Sequence, residues 1–288
     1  MIDATDTALV IEGGGMRNSY TAPAIVRFIM EDVKFGWVGG VSAGSAHAVN
    51  YASHDPWRAR EAFTDFVTHR NFGGFSSLAR GKGYFNAEFI YEGSADDMPF
   101  DWETFASSDI DVHIEALRAD TGHTAKFGRE DFTEPARLMK MVRASSTLPK
   151  VMPLAYIDDV PYVDGALGDS GGLVIEAAEK AGYEKFMVLA TKDRSYVRPE
   201  VTRPIATRRL FQKHPAIAEA LIARPKIYND AKQRILDLEK QGKAMVLFPD
   251  AMSVDAAERN LNKLRANYLA GEDQIREEWP SWVEFLSR

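Results

Sequence analysis

The chain has 288 residues, and its 42 acidic against 35 basic side chains give a formal net charge of −7 with histidine neutral. This acidic balance argues against a nucleic-acid-binding protein, whose affinity comes mainly from neutralising phosphates, and the absence of cysteine excludes disulfides and thiolate–metal sites. Because no apolar stretch approaches the ~20 residues of a membrane span and the acidic N-terminus is unlike a signal peptide, we expect a cytoplasmic protein.

Up to about residue 191 the sequence alternates short apolar stretches with helical patterns, which predicts βαβ units and a largely parallel sheet. The predicted strands lie at 8–11, 35–38, 111–119, 125–127, 154–157, 160–163 and 185–191. The predicted helices lie at 20–30, 43–51, 56–70, 135–145 and 173–181. Asp120-Thr121-Gly122 and Asp158-Asp159 have the turn residues of hairpins, and no long element is predicted for residues 71–108.

The pattern changes near residue 195, after which helical periodicity dominates. Helices are predicted at 205–213, 215–223, 226–241 and 255–269, with one strand-like stretch at 244–248 and a charged tail from Glu272 to Arg288. We therefore divide the chain into a first domain, residues 7–194, and a mainly helical C-terminal extension, residues 195–288.

The sharpest chemical signal is Gly40-Val41-Ser42-Ala43-Gly44, which follows a predicted strand and opens a predicted helix. This is the context of a nucleophile elbow, a tight turn that exposes the serine hydroxyl while small neighbours relieve crowding. An ordinary glycine-rich turn is the alternative for the pentapeptide alone. Ser42 is therefore a candidate nucleophile.

A second glycine-rich turn, Gly13-Gly14-Gly15, ends the first predicted strand and is followed closely by Arg17. Residues without side chains leave backbone N–H groups free to stabilise an anion there. A dinucleotide-binding loop does not fit, because Asn18 replaces the last glycine of its Gly-x-Gly-x-x-Gly pattern and no acid ends the second strand. The loop is better interpreted as an oxyanion hole, to which Arg17 adds positive charge.

Two residues are candidates for the base that activates the serine. In a Ser–Asp–His triad the histidine follows the acid, and only His214 lies late enough, at a predicted helix junction. The elbow also comes after only two strands, earlier than in the usual α/β-hydrolase. The other candidate is Asp164, which ends a predicted strand in Tyr162-Val163-Asp164-Gly165-Ala166; taken alone, this pattern also describes a plain Asp-Gly turn.

The glycine loop, the elbow and the Asp-Gly-Ala segment occur together in the order found in patatin-like phospholipases, and the sequence resembles that family from about Ala8 to Thr191. The segment Ala144-Ser145-Ser146-Thr147-Leu148-Pro149 is similar to the family's Ala-Ser-x-x-x-Pro block. One departure from the family pattern lies in Asp169-Ser170-Gly171-Gly172, where glycine stands in place of the proline that commonly opens the next helix, which is expected to loosen that helix entry.

The resemblance implies an α/β protein with a three-layer α/β/α patatin-like fold and a mostly parallel central sheet, followed by the helical extension. It also implies a Ser–Asp dyad in which Ser42 is the nucleophile and Asp164 the general base. The remaining implied site residues are Gly13, Gly14, Gly15 and Arg17 for the oxyanion hole, Gly40 and Gly44 for the elbow, and Gly165 and Ala166 for the aspartate motif.

The implied activity is that of a lipid acyl hydrolase, a serine esterase of the phospholipase A or lysophospholipase kind that uses no metal and no cofactor. Its expected partner is a lipid or acyl-ester substrate, and transient contact with a membrane surface is left open. Two alternatives remain: a general esterase or thioesterase acting on soluble acyl substrates, and a non-catalytic protein that binds acyl ligands.

Two further groups of residues each have two interpretations. The aromatic residues between 63 and 105 either line an acyl pocket or belong to the core. A basic cluster after residue 193 is either solvated or contacts an anionic headgroup. Its members are Arg194, Arg198, Arg203, Arg208, Arg209 and Lys213.

Overall fold

The computed structural model describes all residues from Met1 to Arg288. Its strands are β1 (Ile2–Ile11), β2 (Val33–Gly40), β3 (Asp111–Arg118), β4 (Thr124–Phe127), β5 (Ala155–Ile157), β6 (Val160–Asp164), β7 (Lys185–Leu189) and β8 (Ala244–Leu247). Its α-helices are α1 (Ala22–Met30), α2 (Ala43–Ala52), α3 (Pro56–Glu61), α4 (Phe75–Ala79), α5 (Trp102–Ser107), α6 (Pro135–Ser145), α7 (Ile175–Lys180), α8 (Pro204–Leu210), α9 (Pro215–Lys240) and α10 (Leu261–Leu286). None of these helices combines the length and the apolar character that crossing a bilayer requires.

The eight strands form one mostly parallel sheet in the order β5–β6–β3–β2–β1–β7–β8, with β4 paired to β3. The central strands β3, β2, β1, β7 and β8 are parallel, whereas β4, β5 and β6 form antiparallel pairs. Strands β5 and β6 are joined through Asp158 and Asp159, whose φ angles of 49° and 63° match a type I′ turn. Both predicted hairpins are confirmed.

The sheet is covered on both faces because its central strand is apolar on both sides. Along β1, Leu9 and Ile11 contribute to one core while Ala8 and Val10 contribute to the other, as the two-residue period of a strand requires. The first core is shared with α1, α2, α6 and α10, and the second with α7 and α9. The predicted three-layer α/β/α arrangement is therefore confirmed.

The helix predicted to continue from Pro56 to about residue 70 ends at Glu61, so that prediction was wrong in its length. The Thr64 hydroxyl donates to the Arg60 carbonyl at 2.9 Å, and the Thr64 N–H turns to the Glu61 carbonyl at 3.2 Å instead. A threonine side chain that competes for a backbone acceptor in this way ends the regular helical pattern. The chain continues as a short 3-10 helix at Asp65–Thr68, and its Phe66 and Val67 belong with Phe72 to a separate hydrophobic cluster.

The residues after 195 belong to the same sheet and the same cores as the residues before it. Strand β8 extends the sheet beyond β7, while α9 and α10 cover opposite faces. The two helices predicted at 215–223 and 226–241 are one helix, α9, which contains Pro225. The position of the domain boundary near residue 195 stays a prediction.

The prediction of a charged tail after Glu272 was wrong, because these residues form the second half of α10. Trp282 is fully buried, its ring centroid is 5.7 Å from that of Phe28 in α1, and Phe285 also joins the first core. The charged residues of this segment, such as Glu284, remain exposed. A helix with a narrow apolar stripe thus resembles a polar tail when only its composition is considered.

Candidate active site

Ser42 occupies the turn between β2 and α2. Its backbone has φ 55° and ψ −130°, a conformation that is strained for a residue with a side chain. A Cβ on Gly44 would lie 2.3 Å from the Ile11 carbonyl oxygen, and one on Gly40 would lie 2.4 Å from the Gly44 carbonyl oxygen. The elbow therefore requires its glycines, and it leaves Ser42 only 8 % exposed in the wall of a cavity.

Asp164 is the last residue of β6 and lines the same cavity, 4 % exposed. Its Oδ1 accepts the N–H of Ala166 at 2.8 Å. Gly165, between them, packs against the Glu115 carbonyl of β3. The aspartate motif thus fixes the carboxylate at the end of a strand by a backbone hydrogen bond and by close contact with the neighbouring strand.

The Ala-Ser-x-x-x-Pro segment connects the two candidate catalytic residues. The Ser145 hydroxyl accepts the N–H of Ser42 at 2.8 Å, and the Thr147 carbonyl accepts the N–H of Asp164 at 2.8 Å. Ser145 is the last residue of α6. One short segment therefore holds the backbone of both residues, a positioning role that the sequence pattern did not specify.

Burial raises the pKa of the Asp164 carboxyl above its ordinary value. The effects that lower this pKa are, from the largest, the positive charge of Arg224, the hydrogen bond from Ala166 and the hydroxyl of Ser42. A buried carboxylate with raised proton affinity is suited to general-base catalysis, provided that it is deprotonated. Activity that depends on Asp164 is therefore lost as the pH falls through this raised pKa.

The glycine loop after β1 uses its backbone N–H groups unequally. The Gly13 N–H donates to the Gly172 carbonyl at 3.4 Å. In the amide orientation of Asn18 that satisfies both of its ends, the side-chain oxygen accepts the N–H of Gly14 at 3.1 Å. The Gly15 N–H donates to no group of the protein, so it is the donor of this loop that remains available to a ligand.

Ala43 supplies a second available donor, which the sequence analysis missed. Its N–H lies in the first turn of α2, directly after Ser42, and donates to no group of the protein. In nucleophile elbows the residue after the nucleophile commonly contributes an oxyanion donor, so the elbow pattern itself contained this signal. Both Ala43 and Gly15 line the cavity next to Ser42.

The cavity has a volume of about 220 Å³ and is lined mostly by hydrophobic side chains. The aromatic residues between 63 and 105 divide between the two interpretations. Phe105 belongs to the first core, and Phe75 is 82 % exposed on α4. Those that line the cavity are Phe63, Phe66, Phe72, Phe85 and Tyr91.

Four arginine side chains line the same cavity: Arg17 after the glycine loop, Arg58 from α3, Arg198 from the segment after β7, and Arg224 from α9. Arg17 lines the cavity, and its contribution to an oxyanion hole stays a prediction. Arg198 belongs to the basic cluster, and Arg224 was not singled out, because only the packing of α9 on the sheet brings it here. The rest of the cluster is exposed, and two of its members form surface ion pairs with Glu239 and Glu219.

Gly171, in the segment that departs from the family pattern, is approached closely by α9. Its φ is 61°, and a Cβ there would lie 2.7 Å from the backbone nitrogen of Tyr228. A proline, with φ fixed near −65°, cannot adopt this conformation. The glycine at this position therefore admits α9 to the loop that follows the aspartate motif.

None of the six histidines lines the cavity. His47 on α2 is fully buried, its Nε2 lies 3.1 Å from the Asn18 carbonyl oxygen, and burial lowers its pKa to about 4. His214 is the residue that precedes α9. No group of three or more His, Asp or Glu side chains is placed to hold a metal ion.

Two family models match the chain. The patatin-like phospholipase model matches residues 9–175, which include Ser42 and Asp164. A model described as a domain of unknown function (DUF6363) matches residues 214–287, which include Arg224.

Two individual proteins are also similar. The uncharacterized protein YjjU of Escherichia coli K12 is 25% identical over 189 residues, which cover 64% of this chain and 51% of that protein, so the chain spans about half of this relative's length. The crystal structure of VipD from Legionella pneumophila aligns with 96% of this chain and 67% of its own, at 11% identity and a TM-score of 0.49.

Proposed function

The chain belongs to the patatin-like phospholipase family, and from this premise we propose that it is a lipid acyl hydrolase that cleaves carboxylic esters with a Ser42–Asp164 dyad. The observation that carries the proposal is the placement of a strained serine and a buried carboxylate in one cavity, with their backbones held by one segment. Strained, buried polar groups of this kind are concentrated at functional sites.

In the proposed mechanism the Oγ of Ser42 attacks the ester carbonyl carbon while the Asp164 carboxylate takes the hydroxyl proton of Ser42. The resulting oxyanion accepts hydrogen bonds from the N–H groups of Gly15 and Ala43, and the charge of Arg17 adds to its stabilisation. Collapse of the intermediate expels the alcohol, which receives the proton from Asp164. Asp164 then takes a proton from water as the water attacks the acyl-enzyme, and the carboxylic acid is released while this proton passes from Asp164 to Ser42 Oγ.

The hydrophobic lining of the cavity supports a long acyl chain in preference to a small soluble one. Each buried methylene adds about 0.8 kcal/mol of favourable transfer free energy, so we expect kcat/KM to rise with chain length in a series of p-nitrophenyl esters from acetate to dodecanoate. A preference for acetate would instead support a general esterase. Binding of fatty acid without any turnover would support a non-catalytic acyl-binding protein.

Transient contact with a lipid surface is part of the proposal. Phe75 and Leu78 of α4 are 82 % and 46 % exposed. Val151 is 41 % exposed and directly precedes Met152, which lines the cavity. The exposed cations Arg80 and Lys150 lie beside them in the chain, and cations suit anionic headgroups. Replacement of Phe75 by Ser should slow hydrolysis in vesicles while leaving the hydrolysis of monomeric p-nitrophenyl butyrate unchanged.

The experiment that tests the hydrolase proposal is the replacement of Ser42 by Ala. We expect ester hydrolysis to fall by about 10³-fold or more, as for other nucleophile deletions, while the melting temperature is retained. Ser53→Ala, at the other end of α2 and outside the cavity lining, is the matched control and should keep wild-type activity. Turnover by Ser42→Ala within tenfold of wild type would reject the proposed mechanism.

A further inference from the structure

The cavity beside Ser42 contains arginine side chains that form no ion pair with a carboxylate. None of Arg17, Arg198 and Arg224 forms an ion pair with a carboxylate, in contrast to many surface arginines of this chain. The Nε atoms of Arg17 and Arg198 are buried without a hydrogen-bond partner. Arg224 makes one long hydrogen bond, 3.5 Å from its Nε to the Gly171 carbonyl.

Another arginine of the same cavity shows what a structural role looks like. The guanidinium of Arg58 donates to Asn50 Oδ1 at 3.0 Å and to the carbonyl of Met98. Its donors are used to tie chain segments together. The guanidiniums of Arg17 and Arg198 donate no hydrogen bond to the protein, and that of Arg224 donates only the long one to Gly171, so most of their donors remain available to a ligand in the cavity.

Arg198 is held in place without using the edge of its guanidinium. Its Cζ lies 4.7 Å from the centroid of the Tyr228 ring, a cation–π arrangement, and its backbone N–H donates to Asn229 Oδ1 at 2.8 Å. A cation–π contact of this kind uses the face of the guanidinium and not its N–H donors, and these in-plane donors are the groups with which arginine binds an oxyanion through two parallel hydrogen bonds.

The guanidinium of Arg198 also repels those of Arg17 and Arg224. Burial lowers the pKa of Arg17 and of Arg224, and the positive charge of Arg198 acts on both in the same direction. The carboxylates that oppose this charge are Glu12 and Asp164. Like charges brought together in a buried site are stabilised when an anion binds between them.

We propose that Arg198 and Arg224, together with Arg17, bind the phosphate of the acyl substrate, and that the preferred substrate is an acyl ester that carries a phosphate monoester. This inference rests on the proposed hydrolase function. A phosphate monoester carries a charge of about −1.5 to −2 at neutral pH, which suits three arginines better than a single negative charge does.

The same residues disfavour a zwitterionic headgroup. Asp164 is the one carboxylate among the residues that line the cavity, and it is needed as the base. A choline or ethanolamine ammonium group would therefore enter a site with excess positive charge and no acid to pair with. Like-charge contacts of this kind are a common way to reject an unwanted ligand.

The inference assigns a task to the C-terminal part of the chain. Arg198 and Arg224 both lie beyond residues 9–175, which the patatin-like phospholipase model matches, and Arg224 lies within the domain of unknown function at 214–287. On this account the first region performs the ester chemistry, whereas the second selects the group attached to the acyl chain.

The first test compares three lauroyl substrates below their aggregation concentrations: 1-lauroyl-glycerol 3-phosphate, 1-lauroyl-glycero-3-phosphocholine and 1-lauroylglycerol. We expect wild-type kcat/KM to be at least about tenfold higher for the phosphate monoester than for the other two. Arg198→Gln and Arg224→Gln should each reduce kcat/KM for the monoester by about 10- to 100-fold. In each variant the ratio of kcat/KM for the monoester to kcat/KM for 1-lauroylglycerol should fall by about tenfold or more, measured above the acid limb of the pH profile.

Arg194→Gln is the matched control, because Arg194 is exposed and paired with Glu239, and it should change none of the three values. A wild-type preference for the phosphocholine substrate would overturn the inference. So would equal losses on all three substrates in Arg198→Gln and Arg224→Gln, since these would indicate a structural or purely catalytic role.

A second test separates this inference from the hydrolase proposal. Inorganic phosphate is titrated by calorimetry into Ser42→Ala, which cannot turn over, and into the double variants that add Arg198→Gln or Arg224→Gln. Saturable binding to Ser42→Ala that weakens about tenfold or more in the double variants supports the phosphate subsite even if no ester is hydrolysed. Binding of equal strength in all three proteins, or none in any, would reject the subsite whatever the outcome for hydrolysis.

Discussion

The two parts of the chain contribute to the cavity in physically different ways. Within residues 9–175, Ser42 and Asp164 are held by the backbone: one by a positive φ angle, both by N–H groups that donate at 2.8 Å to residues at the end of α6 and directly after it. Beyond residue 195, Arg198 and Arg224 reach the same cavity with long side chains, one from a loop and one from within α9.

The proposed chemistry and the proposed selectivity thus depend on residues that are held in place in different ways. Nucleophilic attack requires reacting atoms held at near-attack distances, and residues whose backbone is fixed by the fold meet this requirement. Recognition of a charged group tolerates the freedom of an arginine side chain, because charge acts over several ångströms. Substitutions in the second part can therefore change the substrate preference while the proposed dyad in the first part stays intact.

The largest effect is expected from removing the proposed general base, which lies in the first part of the chain. Asp164→Asn keeps an oxygen that accepts the Ala166 N–H, but an amide cannot take the Ser42 proton, so hydrolysis should fall by about 10³-fold. Steady-state kinetics with a medium-chain p-nitrophenyl ester measures it. The exposed Asp169 provides the control, Asp169→Asn, which should be fully active. Normal hydrolysis by a folded Asp164→Asn would place the base elsewhere.

The second prediction concerns how firmly the two parts are joined. Trp282 of α10 is fully buried against Phe28 of α1, so Trp282→Ala should lower the free energy of unfolding by about 3–5 kcal/mol. Because both parts share one core, denaturant melts should still show a single transition. Trp57→Ala, at a site that is 49 % exposed, should cost less than about 1 kcal/mol. Two separate transitions would show that the parts unfold independently.

A smaller effect is expected where a residue of the second part, Arg224, acts on a residue of the first part, Asp164. The charge of Arg224 is the largest of the effects that lower the Asp164 pKa, so Arg224→Gln should raise that pKa further. Since the base acts only when deprotonated, the acid limb of kcat/KM for a neutral ester should move to higher pH, with the alkaline plateau retained. Arg194→Gln should leave the limb in place. An unchanged limb in Arg224→Gln would mean that Asp164 is not the group that titrates.

The smallest expected effect distinguishes a dyad from a triad. No histidine lines the cavity, and His47 is buried in the α2 layer with its pKa lowered to about 4. Each of the six His→Gln variants should therefore keep activity within about tenfold, a transition-state difference below about 1.4 kcal/mol. His214, which follows Asp164 in the chain, is tested first. A stable variant that loses three orders of magnitude would identify its histidine as the base.

The fold and the local parts of the site were predictable because they depend on short-range constraints. Gly40 and Gly44 mark the elbow, since no side chain fits where they pack, and Asp158-Asp159 marks a hairpin, since both residues adopt positive φ. The cavity position of Arg224 depends instead on how α9 packs over the sheet, and no spacing in the sequence encodes it. The polar appearance of the segment around Trp282 hid a buried helix face for the same reason.

The central claim, that Ser42 is the nucleophile of a hydrolytic dyad, is tested most directly by covalent labelling. The wild-type protein is treated with a fluorophosphonate, digested and mapped by mass spectrometry, in parallel with Ser42→Ala and Asp164→Asn. We predict one labelled peptide in the wild-type protein, with the adduct on Ser42. Ser42→Ala should carry no label, and Asp164→Asn should be labelled much more slowly. Labelling of a different residue, or equal labelling of wild type and Ser42→Ala, would contradict it.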